Sequence, residues 1–143
     1  MWFRWTRILL SAALVLATLS THAEQKQVFG DYELHYIVVP TTFLQPQVAA
    51  KYDITRSRNR ALLNVSVLKN GSPVATQLTA QAKNLLSQVS QLEFTEIREG
   101  PAIYYLALIR HSDEAVHQIT INAIFDDDST GQVEFQQRLY HED

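Results

Sequence analysis

Three arginines, Arg56, Arg58 and Arg60, alternate along a short stretch of the sequence. If that stretch is extended, their side chains lie on one face of it. Guanidinium groups arranged in this way could bind a carboxylate, a phosphate or an acidic partner. The alternative is that they are solvated or form salt bridges with acids of the same chain, such as those at positions 93, 96 and 99. The three arginines are the best candidate interaction or anion-binding site.

An acidic run from Asp126 to Gly131 resembles the opening of a calcium-binding EF-hand loop, with acids at positions 1 and 3 and glycine at position 6. Asp126 and Asp128 are therefore candidate, weak calcium ligands. Position 12 is Gln137, however, where an EF-hand needs a bidentate glutamate. The alternative is a solvated turn, because aspartate tolerates the backbone conformations that turns require.

Four histidines follow the first 23 residues, at positions 35, 111, 117 and 141, and their spacings match no metal-binding motif. The chain has no cysteine, and Met1 is its only methionine, so the soft ligands of a copper carrier are missing. We expect ordinary surface or boundary histidines and no metal centre. No cofactor is predicted.

Catalytic motifs are missing as well. The sequence contains no Walker pattern, no G-x-G-x-x-G and no G-x-S-x-G, and a chain without cysteine cannot do thiol chemistry. The sequence therefore predicts a protein that is not an enzyme. A hydrolase whose Asp and His meet only on folding is left open as a weaker alternative.

Alternation of apolar and polar residues with period two dominates the chain after the leader. It predicts seven strands, over residues 32–39, 61–68, 74–82, 91–98, 102–110, 116–125 and 132–140. Asn70-Gly71 predicts a type I′ hairpin turn between the second and third strands. Between Leu92 and Ile97 the apolar phase slips by one, which indicates a β-bulge or an early end to that strand.

One segment, Pro46 to Tyr52, has the features of a helix of one or two turns, since proline suits the first turn. Seven short strands joined largely by hairpins favour an all-β fold. The predicted architecture is an immunoglobulin-like antiparallel β-sandwich with one short helix, formed by a single domain over residues 24–143.

The first 23 residues have the three parts of a cleavable signal peptide. Arg4 and Arg7 precede an apolar stretch, Ile8 to Leu19, and Thr21-His22-Ala23 provides the small residues that signal peptidase prefers. We therefore predict cleavage before Glu24. The alternative, an uncleaved membrane anchor, needs a longer apolar run of about 20 residues.

Charge limits the partners that this chain could have. All fifteen acids follow Ala23, whereas two of the twelve basic residues precede it, so residues 24–143 carry a formal charge of −5. A negative chain is not expected to bind nucleic acid or an anionic membrane surface. Position 24 is glutamate rather than cysteine, so no lipid anchor is expected after cleavage.

Three stretches resemble the Domain of Unknown Function 4426 family, small exported proteins of Gram-negative bacteria. The first is Val28 to Glu33. The second combines Thr42-Phe43-Leu44 with Arg56 to Leu68, and the third combines Leu92-Glu93-Phe94 with Ile97 to Gly100. The resemblance implies an exported β domain and a periplasmic location, but no activity, cofactor or catalytic residue. We therefore expect a non-enzymatic interaction or accessory module that binds an unidentified envelope protein. The alternative is a protein that binds a small molecule, an anion or calcium.

Overall fold

The computed structural model describes residues 24–141, and the predicted signal peptide lies outside them. The described part contains ten strands, a short 3-10 helix over Thr41–Phe43 and one α-helix, α1, over Pro46–Lys51. The strands are β1 Gln25–Phe29, β2 Tyr32–Pro40, β3 Arg60–Lys69, β4 Ser72–Pro73, β5 Gln77–Asn84, β6 Val89–Leu92, β7 Thr95–Glu99, β8 Ala102–Arg110, β9 Ala115–Ile124 and β10 Thr130–Leu139.

These strands form two antiparallel sheets, which confirms the predicted all-β sandwich. The first sheet has the order β1-β2-β3-β8-β7, with the short β4 paired to β3. The second sheet has the order β10-β9-β5-β6. The chain crosses between the sheets after β4, after β6 and after β8, so each sheet is built from separated parts of the sequence.

The core lies between the sheets and is formed by the alternate residues that face inward. Because successive side chains of a strand point to opposite faces, each strand contributes every second residue. The inward residues of the two central strands include Leu63, Val65 and Val67 in β3 and Ile119, Ile121 and Ala123 in β9, all at most 1% exposed. Aromatic contacts extend this core towards the sheet edges, where the Tyr36 and Phe135 ring centroids are 4.7 Å apart.

The described residues contain three strands more than the seven predicted, because the prediction omits β1 and β4 and joins β6 to β7. Strand β1 has no buried residue, so it carries no inward apolar pattern. The slip of apolar phase near residue 94 marks an early end to the predicted strand, because the chain leaves the second sheet after β6 and enters the first at β7.

The Asn70-Gly71 turn is confirmed, since these residues have φ values of 49° and 83°. The hairpin that it closes is short, however, because β3 pairs only with Ser72 and Pro73 beyond the turn. The next long strand, β5, then starts in the other sheet at Gln77. A prediction based on the turn alone places both long strands in one sheet.

The predicted helix is confirmed as α1, which ends one residue earlier than expected. It belongs to the connection between β2 and β3, which contributes to two cavities shared with residues of the first sheet. We call the side of that sheet that faces away from the core its outer face. Within residues 24–141, no helix is long and apolar enough to cross a membrane.

Candidate functional site

A cavity of about 550 Å³ lies at the end of the sandwich where β3 and β9 begin and where β5 and β8 end. We call it the end cavity. Its charged or titratable lining residues are Arg60, Arg110, His111 and His117. The other lining residues are polar or small, and none is acidic. The end cavity is therefore rich in hydrogen-bond donors and carries a positive charge.

Arg60 and Arg110 form the basic part of the end cavity, and we call them the arginine pair. Strands β3 and β8 place them directly opposite each other at the edge of their ladder. Like charges in such a cross-strand pair destabilise a sheet. Within residues 24–141, neither side chain forms an ion pair with a carboxylate. Two arginines thus occupy opposite positions of one ladder and line one cavity without a neutralising acid from this part of the chain.

Thr41 fixes the backbone that carries Arg60. Its hydroxyl accepts a hydrogen bond from the N–H of Ser57 and lies 2.9 Å from the carbonyl oxygens of both Ser57 and Arg60. Thr41 is fully buried. The N–H of Arg60 donates to the Ser57 carbonyl across a turn. The start of β3 is therefore held in place from the end of β2.

The three arginines predicted as one cluster have different surroundings. The segment is not extended, because Arg58 and its neighbour lie in a turn. Arg56 donates to the Thr42 carbonyl oxygen at 2.8 Å, and Arg58 lies near enough to Asp113 for its charge to contribute to a lowered pKa of that carboxyl. Only Arg60 lines the end cavity. Anion binding stays a prediction for all three.

Sequence reasoning missed Arg110. It lies fifty positions beyond Arg60, and only the pairing of β3 with β8 brings the two together. Two acids that were considered as partners for the arginines pair elsewhere, since Glu96 contacts Arg98 and Glu99 contacts Lys51 at 2.9 Å. No signal in a single sequence predicts which two strands pair across so long a separation.

His111 and His117 are buried at the end of the core, with 9% and 8% exposure, and so lie at its boundary and not on the open surface. The Nδ1 of His111 lies 2.8 Å from the carbonyl oxygen of Ser112. A carbonyl only accepts hydrogen bonds, so this nitrogen carries the proton. The Nδ1 of His117 is buried without a hydrogen-bond partner in the described residues. Burial, and then the charge of His111, lower the pKa of His117.

The other two histidines, His35 and His141, do not line the end cavity. The His141 ring centroid is 6.1 Å from that of His111, and His35 lies 3.1 Å from both Glu24 and Glu33. Over residues 24–141, no group of three or more histidines and acids is arranged to hold one metal ion. The histidines near the end cavity shape its wall and do not form a ligand cage.

The acidic turn is at the opposite end of β9, and the carboxylates of Asp126 and Asp127 have partners from the chain itself. Asp126 accepts a hydrogen bond from the Tyr32 hydroxyl and lies 3.5 Å from the Lys69 ammonium. Asp127 accepts from the backbone N–H of Ser129 at 2.9 Å. A lysine beside Asp126 competes with any cation for the same oxygen. Calcium binding by Asp126 and Asp128 stays a prediction that these contacts do not support.

The family model for DUF4426, a domain of unknown function, matches residues 26–142. The chain belongs to the DUF4426 family. A crystal structure of a DUF4426 family protein from Pseudomonas aeruginosa PAO1 is 33% identical, has a TM-score of 0.76, and is matched over 84% of this chain and 97% of that one. The resemblance seen in the sequence is thereby confirmed, together with the fold that it implies.

Two structures of FetP from uropathogenic Escherichia coli strain F11 share the DUF4426 fold at lower similarity. One is the protein as isolated after expression in the periplasm of E. coli, with 10% identity, and the other is a copper-bound variant with a single substitution, with 11% identity. Both have a TM-score of 0.57 and are matched over 85% of this chain and 97% of theirs. At this identity the likeness shows the fold alone. No curated protein matches the sequence.

Proposed function

We propose that this DUF4426 protein is a non-enzymatic periplasmic binding protein that holds a small anion at the arginine pair. The observation that carries the proposal is the direct opposition of Arg60 and Arg110 with no acid from residues 24–141 to neutralise them. Their mutual repulsion is relieved when an anion lies between them. The ligand class is a carboxylate or a phosphate, because a guanidinium group donates two parallel hydrogen bonds to either.

The periplasmic part of the proposal depends on the N-terminal segment. Arg4, Arg7 and the apolar stretch after them have the pattern of an export signal, with small residues before Glu24. A leader of this kind directs the chain out of the cytoplasm. The binding role is then that of a protein free in its compartment.

Copper, which is bound in the FetP variant, does not suit the residues of this chain. Cysteine is absent and Met1 is the only methionine, so the sulfur ligands that favour Cu(I) are lacking. His111 and His117 face a cavity that also holds two arginines, whose charge repels a cation. The donor set of the end cavity fits an anion.

A calorimetric titration with phosphate, sulfate and acetate tests the proposal. Arg60→Gln and Arg110→Gln should each weaken binding of the preferred anion about tenfold or more, because each removes a charge-assisted hydrogen bond. Arg98→Gln is the matched control, since Arg98 is opposite Ile103, at the other end of β8. Equal affinities in all four proteins, or no binding by the wild type, would overturn the proposal.

The tip of the β5–β6 hairpin favours a second candidate, an accessory module that docks on another envelope protein. Leu85 and Leu86 are 79% and 80% exposed there. Asn84 holds the tip in one shape, because its side-chain oxygen accepts from the N–H groups of Leu86 and Gln88. A photo-crosslinking residue at position 86 should capture a partner in intact cells. Capture at position 132 instead, or at neither position, would contradict this candidate.

A further inference from the structure

The outer face of the first sheet is apolar along β8 and the neighbouring part of β3. The outward residues of β8 include Tyr104, Leu106 and Leu108, and Leu62 lies opposite Leu108 in β3. The inward residues of the same strand, such as Ile109, are also apolar and buried. An antiparallel sheet with one solvated face normally carries polar residues there. This face therefore requires a cover.

The connection between β2 and β3 supplies only part of that cover. Val48, Tyr52 and Ile54 line a cavity of about 270 Å³ together with Leu62 and Leu106. A neighbouring cavity of about 420 Å³ shares Tyr52, Ile54 and both of those leucines. We call the two together the apolar cleft. Val48 is 38% exposed and Leu108 is 37% exposed, so apolar surface remains uncovered along it.

The apolar cleft leads to the arginine pair. Arg110 lines both the second cavity of the cleft and the end cavity. Tyr104, at the far end, precedes Arg110 by six residues along one strand, a distance of about 20 Å. The cleft thus ends at Arg110, which the end cavity places with Arg60, and neither arginine has a partner acid within residues 24–141.

Acidic residues near the cleft do not neutralise that end. Glu99 pairs with Lys51, and Asp53 and Glu93 are exposed residues at the second cavity. Neither of the latter forms an ion pair with Arg110. The Oδ1 of Asn64 is buried in the described structure without a hydrogen-bond partner, and its residue lines the first cavity. The site therefore combines apolar side chains of β3, β8 and the β2–β3 connection with a basic end, one free acceptor and an acidic rim.

We propose that the apolar cleft and the arginine pair bind one amphiphile, an acyl chain with an anionic head. The chain lies against Leu62, Leu106 and Leu108, and the carboxylate or phosphate head lies at Arg60 and Arg110. This inference rests on the proposed function, because it takes the arginine pair as the anion site and adds the nature of the group attached to the anion.

Calorimetric titration with butanoate, octanoate and dodecanoate, each below its micelle concentration, tests the inference. Affinity should rise by up to about fourfold for each methylene that enters the cleft, the factor that corresponds to about 0.8 kcal/mol per buried methylene. Dodecyl phosphate compares the two head groups. The full chain, expressed with its own N-terminal segment and purified, is used throughout.

Variants separate the tail site from the head site. Val48→Asn and Leu106→Asn should weaken dodecanoate at least fivefold and leave butanoate unchanged, whereas Leu86→Asn, which removes an equally large apolar side chain outside the cleft, should change neither. Thermal melting without ligand identifies any variant that fails to fold. Val48 is already partly exposed, so its variant keeps the test valid if Leu106→Asn unfolds.

The outcomes distinguish this inference from the proposed function. If butanoate and dodecanoate bind with equal affinity and Arg60→Gln abolishes that binding, the cleft does not bind the acyl chain, whereas the anion site of the proposed function stands. Dodecanoate binding that is unchanged in both arginine variants overturns the anion site, and absence of binding by every acid overturns both. If the protein floats with phosphatidylglycerol vesicles and dodecanoate abolishes the flotation, the amphiphile is a bilayer lipid. If the protein binds dodecanoate but does not float with the vesicles, the amphiphile is a free molecule.

Discussion

Thr41 is the residue on which the position of Arg60 depends most directly. Thr41→Val removes the hydroxyl that accepts from the N–H of Ser57 and contacts the carbonyl oxygens of Ser57 and Arg60, so the Ser57 N–H loses its partner in a buried site. We expect a loss of about 1–3 kcal/mol in the free energy of unfolding. Urea denaturation followed by circular dichroism measures it.

Thr41→Ser keeps the hydroxyl and is the matched control, so it should lose clearly less stability than Thr41→Val. The valine variant should also bind the preferred anion more weakly, because the turn that carries Arg60 is no longer fixed. Equal stability of the two variants would show that the hydroxyl does not hold this turn.

His117 makes stability depend on pH. Burial and the charge of His111 lower its pKa below the usual 6.5, so the folded protein disfavours the protonated form. The unfolded chain binds the proton first as pH falls. Stability should therefore be complete above about pH 7 and should decrease from about pH 6.5 downward, through the lowered pKa of the folded state.

Urea unfolding between pH 5 and pH 8 measures this dependence. His117→Gln should flatten the part of the curve that His117 causes, while His35→Gln should leave it in place, since His35 lies by two acids at the sheet surface. Stability that rises on acidification would contradict the assignment.

For individual residues, the sequence predicts part of the site. Arg60 is identified by its spacing from Arg56 and Arg58, although only Arg60 reaches the end cavity. The burial of His117 could be read from its phase, because it shares the inward face of β9 with Ile119. Arg110 could not be found, since its role depends on a strand partner and not on neighbours in sequence.

At the scale of strands, β1 and β10 meet across the two sheets at Gly131. A Cβ atom built on Gly131 would lie 2.9 Å from the ring of Phe29, which also contacts the Phe125 ring. Gly131→Ala should therefore cost about 1–3 kcal/mol of stability through overpacking. Thermal unfolding measures it, with Gln132→Ala as the control on the same strand.

The smaller side chain of Phe29→Leu should restore part of that loss in the double variant. A double-mutant cycle gives the coupling between the two positions. Independent, additive effects would mean that the ring and the glycine do not contact each other in solution.

The β3–β8 ladder predicts an unusual effect of removing a charge. Because Arg110 faces Arg60 without an acid between them, Arg110→Gln should raise the free energy of unfolding by up to about 1 kcal/mol in the absence of ligand. The gain should shrink at 0.5 M NaCl, where charges are screened. Destabilisation in low salt would instead indicate that Arg110 has a structural partner.

Strand positions were largely predictable, but their assignment to sheets was not. Period-two alternation gives the bounds of β2, β3, β8 and β9 within a residue or two, because each of these strands has apolar residues on its buried face. The points where the chain crosses between the sheets depend on packing between residues that are far apart in the sequence. Asn70-Gly71 illustrates the limit, since the turn forms as predicted and yet only two residues pair beyond it.

At the scale of the whole molecule, the two sheets and the β2–β3 connection together create the candidate site. The end cavity takes residues from both sheets, and the apolar cleft lies between the connection and the outer face of the first sheet. No single strand or helix forms the end cavity or the apolar cleft. Membership of the DUF4426 family accounts for the fold and leaves the chemistry to be established from these residues.

A crystal structure with selenate would show whether an anion binds between Arg60 and Arg110. Selenate has the shape and charge of sulfate, and its anomalous signal identifies its position without ambiguity. We expect an anomalous peak within hydrogen-bond distance of both guanidinium groups. Selenate bound elsewhere on the protein, with none between these two arginines, would contradict it.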